Sequence, residues 1–163
     1  MNDTTDSTQT TAAVIDDAAF TVRRSIPIAA PVEKVWAAVT EPEHISRWFG
    51  RADFAGTGTG TLGTLTWGGR DPIPLRIDAF DPPHTVSYRW SNDDALGTPP
   101  AGLDEDTSTI FTFTLEPLGD GTLLTLVETG FDRTSDPLAN MEDHRGGWDS
   151  ELDKLVALLE SAP

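Results

Sequence analysis

Ile28 to Gly50 reads IAAPVEKVWAAVTEPEHISRWFG, and it divides into two short helices set end to end. Pro31 suits a first helical turn, where its missing N–H costs nothing and its fixed φ is already helical. Val32, Val35, Trp36 and Val39 follow at i, i+3, i+4 and i+7, which gives one apolar face. Thr40-Glu41-Pro42-Glu43 then has the S/T-x-x-E form of a capping box, in which Thr40 and Glu43 satisfy each other's backbone donors. Ile45, Trp48 and Phe49 supply the second apolar face, and Gly50 closes the helix. Taken alone, such stripes pack a core.

Upstream, residues 1 to about 18 are rich in Thr, Asp and Ser, which predicts a disordered acidic tail before a single domain over 19–163. Phe20, Val22, Ile26 and Ile28 mark a first strand of about ten residues, within the usual strand range. Its alternation slips at Arg23-Arg24, where a bulge is expected. Downstream, Arg51–Phe54 reads as a brief strand. Gly58, Gly60 and Gly63 have G-x-G-x-x-G spacing, but Thr64-Leu65-Thr66-Trp67 alternates like a strand where a dinucleotide fingerprint needs a helix. A glycine-rich turn between strands is the better account. Further strands are expected at Ile73–Ile77, Val86–Trp90, Ile110–Glu116 and Thr122–Thr129, with Ser91 to Asp106 as a long loop of the kind that forms lids. Asp136 and Pro137 then open a long helix with an apolar stripe of Leu138, Met141, Trp148, Leu152, Leu155 and Leu159. Gly146-Gly147 inside it costs about 1 kcal/mol per glycine against alanine, so a close approach to a strand or a local bend is expected there.

The chain has 163 residues, enough for one substantial core. Its net charge is −16, a surface that repels phosphate backbones and anionic lipid heads, so neither nucleic acid nor membrane is an expected partner. The acids are scattered, as on a solvated acidic surface. No apolar run approaches the roughly 20 residues of a membrane span. The N-terminus has no basic and apolar leader pattern, and there are no cysteines. Both fit a cytoplasmic protein.

The order of strand, two short helices, six strands and long helix is that of an antiparallel sheet gripping a helix. Together with Pro31-Val32-Glu33-Lys34-Val35-Trp36, Thr40-Glu41-Pro42-Glu43-His44, Arg47-Trp48-Phe49-Gly50, Glu128-Thr129-Gly130-Phe131 and Gly147-Trp148 leading into Leu152-Asp153-Lys154-Leu155, it resembles the START-like (SRPBCC, helix-grip) superfamily. Within it the chain resembles the branch of homologues of the activator of the ninety-kilodalton heat-shock protein ATPase. The likeness spans about Phe20 to Ser161; the acidic tail and the Ser91–Asp106 loop depart from it. It implies an α+β fold with a curved sheet of six to seven strands on a long C-terminal helix, and a cavity between them for a small hydrophobic or amphipathic ligand.

Strand parity predicts an inward set of Trp67, Leu75, Ile77, Tyr88, Trp90, Phe111, Phe113, Leu124, Leu126 and Glu128, faced by Met141, His144, Trp148 and Leu152 from the helix. Trp36 belongs to the core, whereas Trp48 and Phe49 are expected at the cavity mouth. Glu128 is the sharpest residue, because an inward carboxylate must be paired, neutralised or used. Arg76, Arg89 or Arg145 is the expected partner, or Glu128 anchors a ligand or acts as a base beside His144. His44, His84 and His144 lack metal-ligand spacing, His44 falls on an exposed helix face, and there is no G-x-S-x-G nucleophile elbow. No cofactor is implied, and no residue pattern names a reaction. The competing readings are a chaperone-associated module touching a heat-shock ATPase, and a cyclase- or hydrolase-like enzyme. The chain is expected as monomer or homodimer.

Overall fold

Alternation of apolar and polar residues builds one antiparallel sheet, described with the rest of the chain over residues 12–161 in a computed structural model. Its strands are β1 (Val14–Asp16), β2 (Thr21–Ile28), β3 (Arg51–Phe54), β4 (Leu62–Thr66), β5 (Ile73–Asp81), β6 (Thr85–Trp90), β7 (Thr109–Leu118) and β8 (Gly121–Thr129). They lie in the order β1-β2-β8-β7-β6-β5-β4-β3. Helices α1 (Val32–Thr40) and α2 (Pro42–Ile45) carry the chain from β2 to the far edge at β3, and α3 (Pro137–Ser161) packs against the sheet. Among the described residues no helix is long and apolar enough to cross a membrane.

The sheet has one strand more than the alternation predicted. Residues 14–16 pair with β2 (Val14↔Arg23, Asp16↔Thr21), and the Ala13 N–H donates to Asp149 Oδ1 of α3 at 2.7 Å. Residues 14–16, expected within the tail, thus pair with the sheet, and residues 1–11 lie outside the described residues. Only two apolar side chains, Val14 and Ile15, mark this strand. Backbone pairing, one carboxylate and the packing of Ala13 and Ile15 on the core hold it.

The expected bulge at Arg23-Arg24 is absent. Pairing of β2 with β8 runs unbroken from Thr21↔Thr129 to Ile28↔Thr122, so Val22, Arg24, Ile26 and Ile28 share the covered face. Arg24 occupies a core-side position because α3 brings carboxylates to it: Nη2 lies 2.8 Å from Asp153 Oδ1, and Nη1 donates to the Asp149 carbonyl at 3.2 Å. The register shift falls instead in β5, between Ile77 and Ala79. Asp78 there receives Arg76 Nε at 2.6 Å and Arg89 Nε at 3.0 Å on the outer face.

The opening helix pair is docked by two long polar reaches. Trp48 Nε1 donates to the Ala38 carbonyl at 2.8 Å and Tyr88 Oη to that of Val39 at 2.6 Å, which ties α1 to β6. The expected capping box does not form. Thr40 is still helical, so its hydroxyl bonds back to the Trp36 carbonyl (2.7 Å), and Glu41 precedes α2 without a side-chain cap. Helix α2 ends at Ile45, well before Gly50. Gly50 serves another purpose: a Cβ there would sit 3.0 Å from the Trp67 indole, so the glycine lets the ring lie against the backbone. Trp36 is half-buried, tilted on Phe80 with ring centroids 5.5 Å apart.

On α3, the side chain of Asp136 accepts from the Ala139 N–H as the expected N-cap. The buried face consists of Asn140, Met141, His144, Trp148, Leu152, Leu155 and Leu159. Leu138 is 58% exposed, so the stripe begins three residues later than its apolar pattern indicated. A Cβ built on Gly146 or Gly147 meets nothing within 4 Å. The double glycine is therefore not explained by close packing.

Candidate binding cleft

The middle of the space between sheet and α3 is filled with rings. Trp90 and Phe111 meet edge-on at 4.6 Å, Phe111 and Trp148 lie 5.1 Å apart, and Phe113 and Trp148 cross at 6.0 Å. Trp48 stacks on Phe49 at 4.8 Å and is itself buried, so of the two residues expected at a cavity mouth only Phe49 reaches an opening. The void left among Val39, Ile45, Tyr88, Phe111 and Phe113 is about 10 Å³. That is at most the room of one water. The interior chamber expected from the resemblance is thus closed by aromatic packing in its middle.

At one end it opens into a cleft of about 480 Å³. Phe49, Trp67, Ile73 and Trp148 form the apolar wall. The β4–β5 connection adds Arg70 and Asp71, the β6–β7 loop adds Asn92, Asp93 and Asp94, and α3 adds Asp143, His144, Gly147 and Glu151. Gly147 faces this open space, which is why a side chain built there meets nothing.

The loop forming one rim is tied down at both ends. Asp93 accepts from the Ser135 N–H (2.7 Å), the Ser135 hydroxyl (2.8 Å) and Asn140 Nδ2 (2.8 Å), while Asn140 Oδ1 receives the Ala95 N–H at 3.0 Å. These donors hold the Asp93 carboxyl below its usual range despite the burial that opposes ionisation. Ser91 Oγ accepts from the Asp104 N–H at 2.9 Å and folds the loop back on itself. A short 3₁₀ turn at Asp94–Leu96 aims Asp94 into the cleft.

Behind the cleft wall sits Glu128, 0% exposed. Each of its oxygens takes two donors. Trp90 Nε1 (2.8 Å) and Thr109 Oγ1 (2.5 Å) reach Oε2; His144 Nδ1 (2.8 Å) and Trp148 Nε1 (2.8 Å) reach Oε1. None of the arginines expected as its partner is there. Arg76 and Arg89 bind Asp78 on the outer face, and Arg145 pairs with Glu142 along α3. The partner is His144, sixteen residues away on the helix.

Both ring nitrogens of His144 face acceptors, since Nε2 lies 2.9 Å from the Asn92 carbonyl and 3.4 Å from Asp94 Oδ2. Only the doubly protonated ring satisfies both sides. Burial opposes that charge, but the Glu128 carboxylate outweighs it, helped by Asp94 and the Asn92 carbonyl, and His144 is pushed up to about 9. For Glu128, burial raises the carboxyl, but the His144 charge and the hydrogen bonds from His144, Thr109 and Trp148 outweigh it and hold the carboxyl below its usual range. This pair is an anchor. A base already bonded to four donors, beside an acid that holds its proton far above neutrality, is badly placed for proton transfer near pH 7.

Of the residues singled out in the sequence, Phe49, Trp67, His144 and Trp148 border the cleft. Glu128 stands behind them, and Trp48, Tyr88, Trp90, Phe111, Phe113, Met141 and Leu152 are sealed in the core. Pattern reasoning missed Arg70, Asp71, Asp93, Asp94, Asp143 and Glu151. Their only sequence signal is acid content next to the long loop and next to His144. His44 lies 3.5 Å from Glu41, away from the cleft. Among the described residues no group of three or more His, Asp or Glu is placed to hold a metal ion.

With the fold in view, solved structures align over most of the chain. Protein MLL2253 from Mesorhizobium loti is 28% identical, with 88% of this chain and 98% of that one covered and a TM-score of 0.73. CalU16 from Micromonospora echinospora is 24% identical over 86% and 76% (TM-score 0.63), and the Aha1 dimer from Colwellia psychrerythraea 21% identical over 86% and 96% (TM-score 0.67). At these identities the last two establish the shared helix-grip fold alone. No curated protein matches the chain. Residues 29–160, however, match the model of the family described as Activator of Hsp90 ATPase homolog 1-like protein, and the chain belongs to that family.

Proposed function

We propose that the protein binds a small amphipathic molecule in the cleft at the open end of the sheet–helix interface. The observation that carries this reading is the pairing of an aromatic wall (Phe49, Trp67 and Trp148) with a polar rim around about 480 Å³. Ligand sites of small molecules have this size, with apolar walls and a few placed polar groups. Gly147 supports it, because a helix that tolerates a costly glycine facing open space keeps that space free. Binding, rather than turnover, is the role that fits an ion pair locked as Glu128–His144 is, and this weighs against the cyclase- or hydrolase-like alternative.

Native mass spectrometry of the protein purified from its own host tests the reading. A retained small molecule, lost in a Gly147→Leu variant that fills the cleft, is the expected result. An empty chain that instead co-purifies with a chaperone ATPase would move the function to the interaction class that the family description names. The same spectra separate monomer from homodimer.

A further inference from the structure

We infer that the cleft selects an organic cation, an amine carried on an apolar or aromatic body, over neutral or anionic molecules of the same shape. The inference rests on the binding reading above and adds the ligand's charge to it. Five carboxylates border the cleft (Asp71, Asp93, Asp94, Asp143 and Glu151) against two cations, Arg70 and His144. The charge of His144 is matched from behind by Glu128 at 2.8 Å and that of Glu151 by Lys154 at 2.9 Å, which leaves Arg70 to face the other four carboxylates.

The carboxylates are not equally free. Asp93 is held by Ser135 and Asn140. Glu151 Oε1 lies 2.9 Å from Lys154 Nζ, one turn along α3, and is paired there. Asp94 is held above the ordinary carboxylate range, by burial first and then by the charges of Asp143 and Glu128, against the pull of His144 and Arg70. A cation beside it relieves that repulsion; an anion adds to it.

The wall supplies the second attraction. Phe49 meets Trp67 edge-on at 4.9 Å and stacks on Trp148 at 5.3 Å, so aromatic surface lines the same space as the acids. Ring faces attract ammonium groups, and more strongly where the pair is desolvated. Acids at the rim and rings on the wall therefore favour the same ligand charge, and the chain's net −16 steers cations toward it. A metal ion is the wrong cation, since no group of three or more ligating side chains converges among the described residues.

The test is a matched series on one body: tryptamine, tryptophol and indole-3-propionate, titrated calorimetrically at pH 7 and low salt. The indole N–H signals of ¹⁵N-labelled protein report whether Trp67 and Trp148 are touched. Tryptamine is expected to bind roughly tenfold tighter than tryptophol, a gap of about 1.4 kcal/mol, with the propionate weakest. Asp143→Asn should weaken tryptamine severalfold and leave tryptophol unchanged. Equal binding of amine and alcohol, or tighter binding of the propionate, overturns the charge selection while leaving the cleft as a binding site. If none of the three shifts Trp67 or Trp148, the charge inference and the binding reading both fall.

Discussion

Where α3 passes over Phe111 and Phe113, the interval between helix and sheet is filled with rings; where it passes Trp67 and the 91–106 loop, about 480 Å³ stays open. The same helix covers both regions, so the difference lies in what the other elements insert. At the closed end the segment after α2 pushes in Trp48, anchored on Ala38, and stacks Phe49 on it. At the open end α3 contributes Gly147, and the loop is pinned by Asp93 to Ser135 and Asn140. Trp148 stands on the boundary. It packs on Phe111, donates to Glu128 and still borders the cleft. Core stability and cleft shape are thus set by separate residues, except at Phe49 and at the Glu128–His144–Trp148 junction, where one change reaches both.

The junction is the place to break that separation. Glu128→Ala leaves a charged imidazole, two indole N–H groups and the Thr109 hydroxyl without their acceptor in a dry site. Breaking a buried pair from one side costs roughly 3–5 kcal/mol, to be read from urea midpoints, and the cleft signals of Trp67 should shift as well. Phe111→Ala is the contrast. It empties the closed end at a comparable cost of about 3–5 kcal/mol, yet ligand affinity in the folded fraction should not change. A Glu128 variant less than about 1 kcal/mol destabilised would deny the carboxylate its place as the joint.

The joint also titrates. His144 is raised to about 9 from an unfolded value of 6.5, so its contribution is full below pH 6.5 and is lost as pH rises through 9. Glu128 is lowered, so its contribution is full above its unfolded 4.5 and is lost only as pH falls through the depressed folded value. The pair therefore stabilises most between about pH 4.5 and 6.5. Between pH 6.5 and 9 the wild type should lose stability on the order of 3 kcal/mol relative to His144→Gln. Subtracting the variant removes the general repulsion of an acidic chain, and parallel curves would show that His144 carries no such charge.

Much of the closed end was legible in the sequence, because period-2 strands and the stripe of α3 mark buried faces directly. Val22, Leu75, Tyr88, Phe113 and Leu126 all lie where alternation puts them. The open end was not. Asp93 and Asp94 sit in a Gly- and Pro-rich stretch whose composition identifies a loop but not the helix it leans on. Glu128 could be recognised as inward by parity, whereas its partner depends on how α3 lies across β8. Arg24 was misread for a related reason: a charged side chain in a core-side position breaks the apolar pattern, and only Asp149 and Asp153 on another element make it acceptable there. Thr40 fits a capping motif as a string, but the longer α1 takes it first.

The smallest effects separate the two ends most cleanly, because Gly146 and Gly147 are neighbours with different surroundings. Neither has a strained backbone, and a Cβ on either meets nothing within 4 Å, so replacing either should stabilise α3 by up to about 1 kcal/mol. Only Gly147 borders the cleft. Gly147→Leu should therefore raise the urea midpoint slightly while abolishing ligand binding, and Gly146→Ala should raise it by a similar amount with binding intact. Stabilisation by both with loss of binding in one alone would assign the cost of Gly147 to keeping the cleft open. Loss of binding in both would place the effect in the helix itself, and the distinction between a sealed core and an independent cleft would no longer hold.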